Sequence, residues 1–256
     1  MPKHVLKTSL NHFENDISRA FTLLTQSSNF SDEVARQDVW RAAIMMAVGA
    51  SDAFFCKAYV DLISRTLRAM QRESNLEVPD GIFNVMFPIS IIASRGTSGL
   101  GYRIGSRLIM EKESFLSLNS VKKKFNVFYE PNMPKALTDD KIISWIHNQR
   151  VKKRHYGITS RTYRSLGATQ KSSAKKNAGK TFRNLFAKHY QRRNDCIHNC
   201  DRIKEKPQRI TESMAKKCVE DYQFLVGEMH EDLSKEFEKF LRRIGCTPAT
   251  IRSVSY

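Results

Sequence analysis

The segment from Gln191 to Arg202, QRRNDCIHNCDR, contains the side chains best suited to chemistry on a phosphate group. Histidine titrates near the pH of the cell and can take up or release a proton. The guanidinium group of arginine can hydrogen-bond two phosphate oxygens at once. RNA carries its own nucleophile, the 2′-hydroxyl, so a base, an acid and positive charge suffice for cleavage. Arg193 and His198 therefore predict phosphodiester cleavage, with His198 as general acid or base and Arg193 stabilising the transition state.

The spacing within this segment decides which side chains meet if the segment is helical. Asn194 and Asp195 lie four and three residues before His198, so both can reach the imidazole from one face and orient it. Arg193 lies five residues before His198, which corresponds to a rotation of about 140° and a rise of about 7.5 Å. Arg193 and His198 of one chain therefore diverge. Two such helices packed antiparallel across a two-fold axis would bring two arginines and two histidines into one cleft.

The chain resembles the HEPN domain in three features. These are an arginine followed by a polar residue, a histidine four to six positions beyond the arginine, and a long helix after them. The layout is similar to its RiboL-PSP type, from about residue 30 onward. The resemblance implies a dimeric, all-helical, metal-independent endoribonuclease whose arginine and histidine form a composite site at the dimer interface. These catalytic roles carry over to Arg193 and His198, with Asn194 as the polar neighbour. We include Arg192 and Asp195 as supporting residues.

Two other pairs in the chain have similar spacing. Arg150 precedes His155 by five residues, and Arg183 precedes His189 by six. We favour Arg193 and His198 over both, because only their segment stands next to a short polar break and the last long helix. The pair Arg183 and His189 remains the main alternative.

Asp52 is a further candidate because it interrupts the apolar stretch AVGASDAFF. A carboxylate buried among apolar residues costs free energy unless it is paired. One interpretation is that Asp52 anchors Arg193 or another basic residue near the site. The resemblance favours this interpretation, since an acidic residue is common at this point of the corresponding helix. The alternative is an exposed carboxylate on the solvent side of the helix.

The charge distribution favours nucleic acid as the partner. The chain carries 43 Lys and Arg against 26 Asp and Glu, and residues 150–206 contain 17 basic residues but only three acids. A basic block of this density beside a phosphoryl-transfer motif is typical of RNA-binding proteins. The predicted RNA contacts are Lys171, Lys175, Lys176 and Lys180. A solvated basic loop without a ligand would have the same composition.

Neither a metal nor a cofactor is predicted. The five cysteines lack the spacing of a disulfide framework and indicate reduced thiols. Cys196, His198 and Cys200 form a C-x-H-x-C pattern, but on a helix the histidine points about 200° away from both cysteines, so zinc is not expected. We find neither a signal peptide nor an apolar run of about 18 residues, and we expect a cytoplasmic protein without membrane contact.

Apolar spacing predicts a single all-α domain over residues 1–256, a helical bundle. The resemblance implies that this bundle is of HEPN type, with extra helices and a basic insertion. An amphipathic helix is expected at 8–26, followed by a long buried helix from Glu33 to Glu73. The last helix is expected at 211–243, with an apolar stripe from Cys218 to Leu241.

The middle of the chain is less regular. The four glycines between 96 and 105 indicate a loop, because the Lys-Ser/Thr ending of a phosphate-binding loop and a preceding strand are both missing. A helix is expected at 106–125, and Thr138 can cap another. Residues 157–180 are rich in Ser, Thr, Gly and Lys and predict a flexible basic insertion. The motif helix is expected from Thr181 to Asp201.

Two classes of function follow from these features. The first is an RNA-cleaving enzyme, which the resemblance places among toxins or antiviral host-defence effectors, with an antitoxin or another defence-system protein as a partner. The alternative is a non-catalytic HEPN-like module that binds RNA or protein. A DNA-binding component of a defence system is a third possibility. Cleavage of RNA in EDTA separates the enzyme from the binding proteins.

Overall fold

The computed structural model describes residues 5–83, 99–110, 113–203 and 205–254, and this part of the chain is mostly helical. An all-α fold is therefore confirmed. The helices are α1 (Lys7–Gln26), α2 (Glu33–Arg72), α3 (Asp80–Phe83), α4 (Gly99–Met110), α5 (Leu118–Phe125), α6 (Asp139–Ser144), α7 (Lys153–Tyr156), α8 (Ser160–Ser165), α9 (Ala168–His198), α10 (Glu212–Arg243) and α11 (Pro248–Val254). Short 3₁₀ turns lie at Ser27–Asn29, Asn126–Phe128 and Trp145–His147.

The centre of the bundle is α2, which packs against α1, α4, α9, α10 and α11. It begins at Glu33, where the Asp32 side chain accepts a hydrogen bond from the Val34 N–H group and caps the helix. Phe54 and Phe55 are buried in its middle. The predicted stripe of α10 is confirmed, since its residues from Cys218 to Leu241 face the same core. Helix α9 is positioned by α2 together with the short helices α6 and α7.

One stretch of α2 is long and apolar enough to cross a membrane by length and composition. In this structure 61% of that stretch is buried inside the protein. A buried core helix has the same composition, because both environments exclude water.

The glycine-rich segment differs from its prediction. Gly99, Gly101 and Gly105 lie within α4, not in a loop, while Gly96 lies outside the described residues. The packing of α4 against α2 outweighs the weak helix propensity of glycine. The helix predicted at 106–125 is interrupted, because α4 ends at Met110 and Ser117 caps the separate helix α5.

Residues 157–180 are helical where the sequence predicted an irregular insertion. They form α8 and the first three turns of α9, which begins at Ala168 and not at Thr181. Alanine and lysine are strong helix formers, and they offset the Ser and Gly content of this segment. A Cβ atom at Gly179 would lie 2.0 Å from the Asp139 Oδ1 atom, so only glycine permits this close approach of α9 to α6. Flexibility of the segment in solution stays a prediction.

The polar break between α9 and α10 contains a small hairpin. Residues Arg202–Ile203 (β1) pair antiparallel with Lys206–Pro207 (β2). Such a short hairpin has no stability of its own. It is held because the Gln208 N–H group donates to the Asp201 carbonyl oxygen over 2.7 Å.

Glu228 on α10 gives the bundle a pH-dependent stability. Its side chain accepts a hydrogen bond from Asn148 Nδ2, and burial, with Glu231 and Asp232 nearby, raises its pKa to about 7. Between pH 4.5 and about 7 the folded chain holds a proton that the unfolded chain has lost. Stability therefore falls as the pH rises through this window, and the loss is complete above it.

Glu228→Gln is expected to remove this penalty and keep the acceptor for Asn148. From pH 5 to pH 8, the free energy of unfolding of the wild type should fall relative to that of the variant by on the order of 1–2 kcal/mol, after allowance for solvent screening. Urea denaturation at both pH values measures the difference. Glu130→Gln, at an exposed carboxylate that is not among the groups raising the pKa of Glu228, is the control and should show no such gain. An equal pH dependence in Glu228→Gln and the wild type would contradict the prediction.

Candidate active site at the end of helix α9

The motif residues lie on the last two turns of α9, which ends at His198. Phe182, Phe186 and Tyr190 bury one face of this helix against the core. At the C-terminal end this face is no longer covered by the core, since Ile197, seven residues after Tyr190 and therefore on the same side, is 46% exposed. The helix stops because Cys200 and Asp201 adopt positive φ angles of 48° and 56°, which cannot continue a right-handed helix.

A buried ion cluster fixes this end of the helix. Asp201 is completely buried, and its Oδ2 atom accepts hydrogen bonds from Arg41 Nε and Arg192 Nη2, both over 2.6 Å. Arg192 also donates to the side chain of Gln208. This cluster ties α2, α9 and the segment before α10 together. Arg192, predicted as a supporting residue, thus holds the end of the motif helix, and its role in a catalytic site stays a prediction.

The three predicted catalytic residues have different environments. Arg193 is half-buried, and its Nη1 atom donates to Asn194 Oδ1 over 3.1 Å. His198 is exposed at the last position of the helix. Among the described residues, neither Arg193 nor His198 forms an ion pair with an acid. Their charged groups are consequently available to a ligand or a second chain.

Two of the expected contacts to His198 are replaced by others. Asp195 was expected to orient the imidazole, but its two carboxylate oxygens accept hydrogen bonds from Gln191 Nε2 and Gln208 Nε2, each over 2.8 Å. Asn194 binds Arg193 instead. The reason is the hairpin, which returns Gln208 to α9 and offers Asp195 a partner that helix geometry alone does not reveal. Within one chain, the imidazole of His198 is therefore not oriented by these two residues.

Asp52 does not anchor Arg193 within the chain. Its Oδ1 atom accepts a hydrogen bond from the Phe115 N–H group over 2.5 Å, and the Cys56 thiol lies 3.9 Å away. Burial and the nearby Asp52 carboxylate raise the pKa of the Cys56 thiol to about 12. Asp52 thus fastens the segment before α5 to the central helix α2. The burial that made it a candidate is compensated by a backbone group.

The alternative pair Arg183 and His189 is engaged elsewhere. Arg183 Nη1 forms an ion pair with Asp139 on α6 at 2.7 Å. His189 Nε2 lies 2.9 Å from Asp221 Oδ2 on α10. The two side chains therefore point to different helices and do not converge on one phosphate.

Asp221 is the centre of a second cluster, which the sequence reasoning missed. It is fully buried, and its Oδ1 atom accepts from Arg154 Nε over 2.7 Å and faces His155 Nε2 at 2.8 Å. Burial acts to raise the pKa of Asp221, but the hydrogen bonds from His155 and His189 outweigh burial and hold the pKa at about 2. One signal was available in the sequence. Asp221 lies three residues after Cys218 and therefore on the predicted buried stripe of α10.

No group of three or more His, Cys, Asp or Glu side chains within the described residues is arranged to hold a metal ion. The five cysteines are free, with Cys200 exposed and Cys218 and Cys246 buried. The arrangement of the described residues thus offers acid–base and charge chemistry through Arg193 and His198.

The four predicted RNA-binding lysines fall on two faces of α9. Lys175 forms an ion pair with Asp140 on α6, and this hydrogen bond raises its pKa. Lys171 is half-buried one turn earlier on the same side. Lys176 and Lys180 are exposed on the solvent side. Within the described residues Lys171, Lys176 and Lys180 have no acid partner, and of these Lys176 and Lys180 are the exposed ones.

Lys176→Gln combined with Lys180→Gln is expected to weaken RNA binding and to flatten its salt dependence. Each lost phosphate contact should lower the slope of log K against log salt by about 0.7 for a single strand. Fluorescence anisotropy of a labelled RNA oligonucleotide over a series of salt concentrations measures the slope. Lys175→Gln is the matched control, since its charge is already compensated by Asp140. A larger effect from the control would place the RNA on the α6 side of the helix.

No family model, curated protein or solved structure matches this chain. The functional assignment therefore depends on the residues and geometry described above.

Proposed function

We propose that the protein is a metal-independent endoribonuclease of HEPN type, with Arg193, Asn194 and His198 in its active site. One observation carries the proposal. Arg193 and His198 are accessible at the end of α9 without an acid partner among the described residues, whereas Arg183 and His189 of the same helix are bound to Asp139 and Asp221.

The chemistry requires three groups around one phosphate. An imidazole removes the proton from the 2′-hydroxyl, and the 2′-oxygen attacks phosphorus. The P–O5′ bond breaks, and a protonated imidazole gives its proton to the leaving 5′-oxygen. The guanidinium of Arg193 hydrogen-bonds the phosphorane oxygens, on which negative charge develops. The products are a 2′,3′-cyclic phosphate and a 5′-hydroxyl.

A second copy of the chain completes the site in this proposal. Five residues separate Arg193 and His198, so they diverge by about 140° around the helix. The acid and the base are both histidines, and one chain contributes a single exposed histidine at this place. A two-fold dimer that packs the ends of two α9 helices against each other supplies the second imidazole and the facing arginine.

The substrate is proposed to be RNA, because the exposed face of α9 is basic and RNA provides the 2′-hydroxyl that this chemistry uses. A ribonuclease of this kind endangers its own cell. A toxin or antiviral defence effector, acting in the cytoplasm and controlled by an antitoxin or another defence-system protein, is the biological setting that the HEPN resemblance suggests.

A non-catalytic HEPN-like module that binds RNA or protein is the second candidate. The observation in its favour is that the imidazole of His198 is not oriented by Asn194 or Asp195 within the chain. A binding surface does not need an oriented imidazole.

Incubation of the purified protein with RNA in EDTA separates the two functions. The nuclease should cleave under these conditions, and its products should carry 2′,3′-cyclic phosphate and 5′-hydroxyl ends, identified by end-specific ligation and kinase treatment. Binding without cleavage would favour the non-catalytic module. Cleavage that stops in EDTA, or products with 5′-phosphate ends, would contradict the proposed mechanism.

Mixed dimers test the composite site. Subunits exchanged between wild-type and His198→Ala protein should form mixed dimers that are almost inactive, because each site uses the imidazole of both chains, whereas sites within single chains would keep half of the wild-type activity. Light scattering at the assay concentration measures the oligomeric state in parallel. A monomer that cleaves RNA at the full rate would rule out the composite site.

A further inference from the structure

A second cleft lies beside the motif helix, between α7, α9 and the first turns of α10. Its volume is about 430 Å³, which is within the range of small-molecule sites. The apolar part of its wall consists of Ile44, Leu185, Ile210, Met214 and Cys218. Lys188, His189 and Lys217 lie along its polar edge. We refer to this site as the His189 cleft.

The imidazole of His189 is held by a buried carboxylate. Its Nε2 atom lies 2.9 Å from Oδ2 of Asp221, which is completely buried. The neighbouring His155 accepts a hydrogen bond from the Lys152 N–H group at Nδ1, so it donates to Asp221 through Nε2 as a neutral imidazole. Asp221 is therefore an acceptor for His189 as well, and His189 donates through Nε2. Its Nδ1 atom has no protein partner in the described part of the chain.

The charges around the cleft are unequally compensated. Arg154 is paired with Asp221 and Glu220, and Arg192 is paired with Asp201. The ammonium groups of Lys188 and Lys217 are exposed and have no acid partner among the described residues. Asp195 also lines the cleft, about 10 Å along α9 from Lys188, and its oxygens accept hydrogen bonds from Gln191 and Gln208. The ammonium groups of Lys188 and Lys217 match a phosphate monoester, which carries a charge of about −1.5 to −2 at neutral pH.

We propose that the His189 cleft binds a nucleoside monophosphate, with its phosphate at Lys188 and Lys217, a ribose hydroxyl donating to Nδ1 of His189, and its base against Ile210 and Met214. The combination of an apolar wall and a dicationic edge fits a planar ring linked to a dianionic group. An internal phosphodiester of RNA carries a single negative charge and matches this edge less well. Arg192 and Asp195 line this cleft as well as the end of the motif helix, but Arg193 and His198 do not line it, so nucleotide binding here does not depend on RNA cleavage.

Isothermal titration calorimetry with adenosine 5′-monophosphate and uridine 5′-monophosphate tests the proposal on the full chain. At least one of the two nucleotides should bind saturably and at least about tenfold more tightly than adenosine, uridine or inorganic phosphate. Each of these fragments uses only one part of the cleft, either the apolar wall or the basic edge. Lys188→Gln combined with Lys217→Gln should weaken this binding by at least about tenfold. Lys176→Gln, on the same helix but outside the cleft, should leave it unchanged.

Met214→Asp provides a second variant that does not depend on the lysines. Met214 is 45% exposed and occupies the third position of α10, where an aspartate is compatible with the helix. It should abolish binding by placing a carboxylate on the apolar wall, while circular dichroism and thermal unfolding show an intact fold. The proposal is overturned if neither nucleotide binds at millimolar concentration, if inorganic phosphate binds as tightly, or if folded cleft variants bind like the wild type. RNA cleavage, assayed separately, is expected to persist in these variants.

Discussion

Arg193→Ala and His198→Ala are each expected to lower the rate of RNA cleavage by at least about 100-fold. This is the usual scale for the loss of a general acid–base group or of a donor to a charged transition state. Neither substitution should change the fold, because His198 is exposed and the polar contact of Arg193 is with its neighbour Asn194. Single-turnover cleavage of a labelled RNA at saturating enzyme measures the rate without the contribution of binding.

The structure supplies a matched control for each substitution. Arg183→Ala removes an arginine from the same helix, but one that is paired with Asp139. It should lower stability slightly and leave the cleavage rate within about threefold of the wild type, since an exposed ion pair contributes little. His147→Ala removes another exposed histidine, at the turn before α7, and should also leave cleavage unchanged.

The opposite result would identify another site. If Arg183→Ala and His189→Ala abolish cleavage in folded proteins while Arg193→Ala and His198→Ala do not, the catalytic pair is the alternative one. Asn194→Ala should lose less activity than Arg193→Ala or His198→Ala, because Asn194 acts only on the position of Arg193.

The long helices could be predicted from sequence because their apolar residues repeat at helical spacing over many turns. The signals at their ends also lie within a few residues, as with Asp32 before α2 and Thr211 before α10. The start of α9 could not be predicted in this way. Residues before Thr181 are polar, and their helix is stabilised by contacts with α6, such as that of Lys175 with Asp140, which lies 35 residues away in sequence.

The motif residues could be located from the sequence, but their partners could not. Asp52 and Asp221 both interrupt apolar stretches, and burial alone does not distinguish their roles. The difference lies in what reaches each carboxylate, a backbone N–H group of Phe115 in one case and two histidines and Arg154 in the other. These partners come from distant parts of the chain. The occupation of Asp195 by Gln208 has the same origin, since it depends on the hairpin.

Asp201→Asn is expected to lower the free energy of unfolding by about 3 to 5 kcal/mol. The substitution keeps the size of the side chain, and asparagine tolerates the positive φ of this residue. It removes the negative charge that Arg41 and Arg192 share. The side chains of these arginines are only 10% and 15% exposed, so water cannot replace that charge. Arg41 would keep only the exposed Asp38 as an acid partner, and Arg192 would have none among the described residues. Leaving nearly buried guanidinium groups in this state is the costly way to break a buried ion pair.

Thermal unfolding should record this loss as a decrease in Tm of roughly 10 °C for a chain of this length. Asp195→Asn is the matched control, because Asp195 is half-exposed and binds two neutral amides. It should cost no more than about 1 kcal/mol. Equal Tm values for Asp201→Asn and the control would show that the cluster does not stabilise the end of α9. Since the cluster also positions the turn after His198, Asp201→Asn should reduce RNA cleavage even at temperatures where the protein stays folded, whereas Asp195→Asn should retain most of the activity.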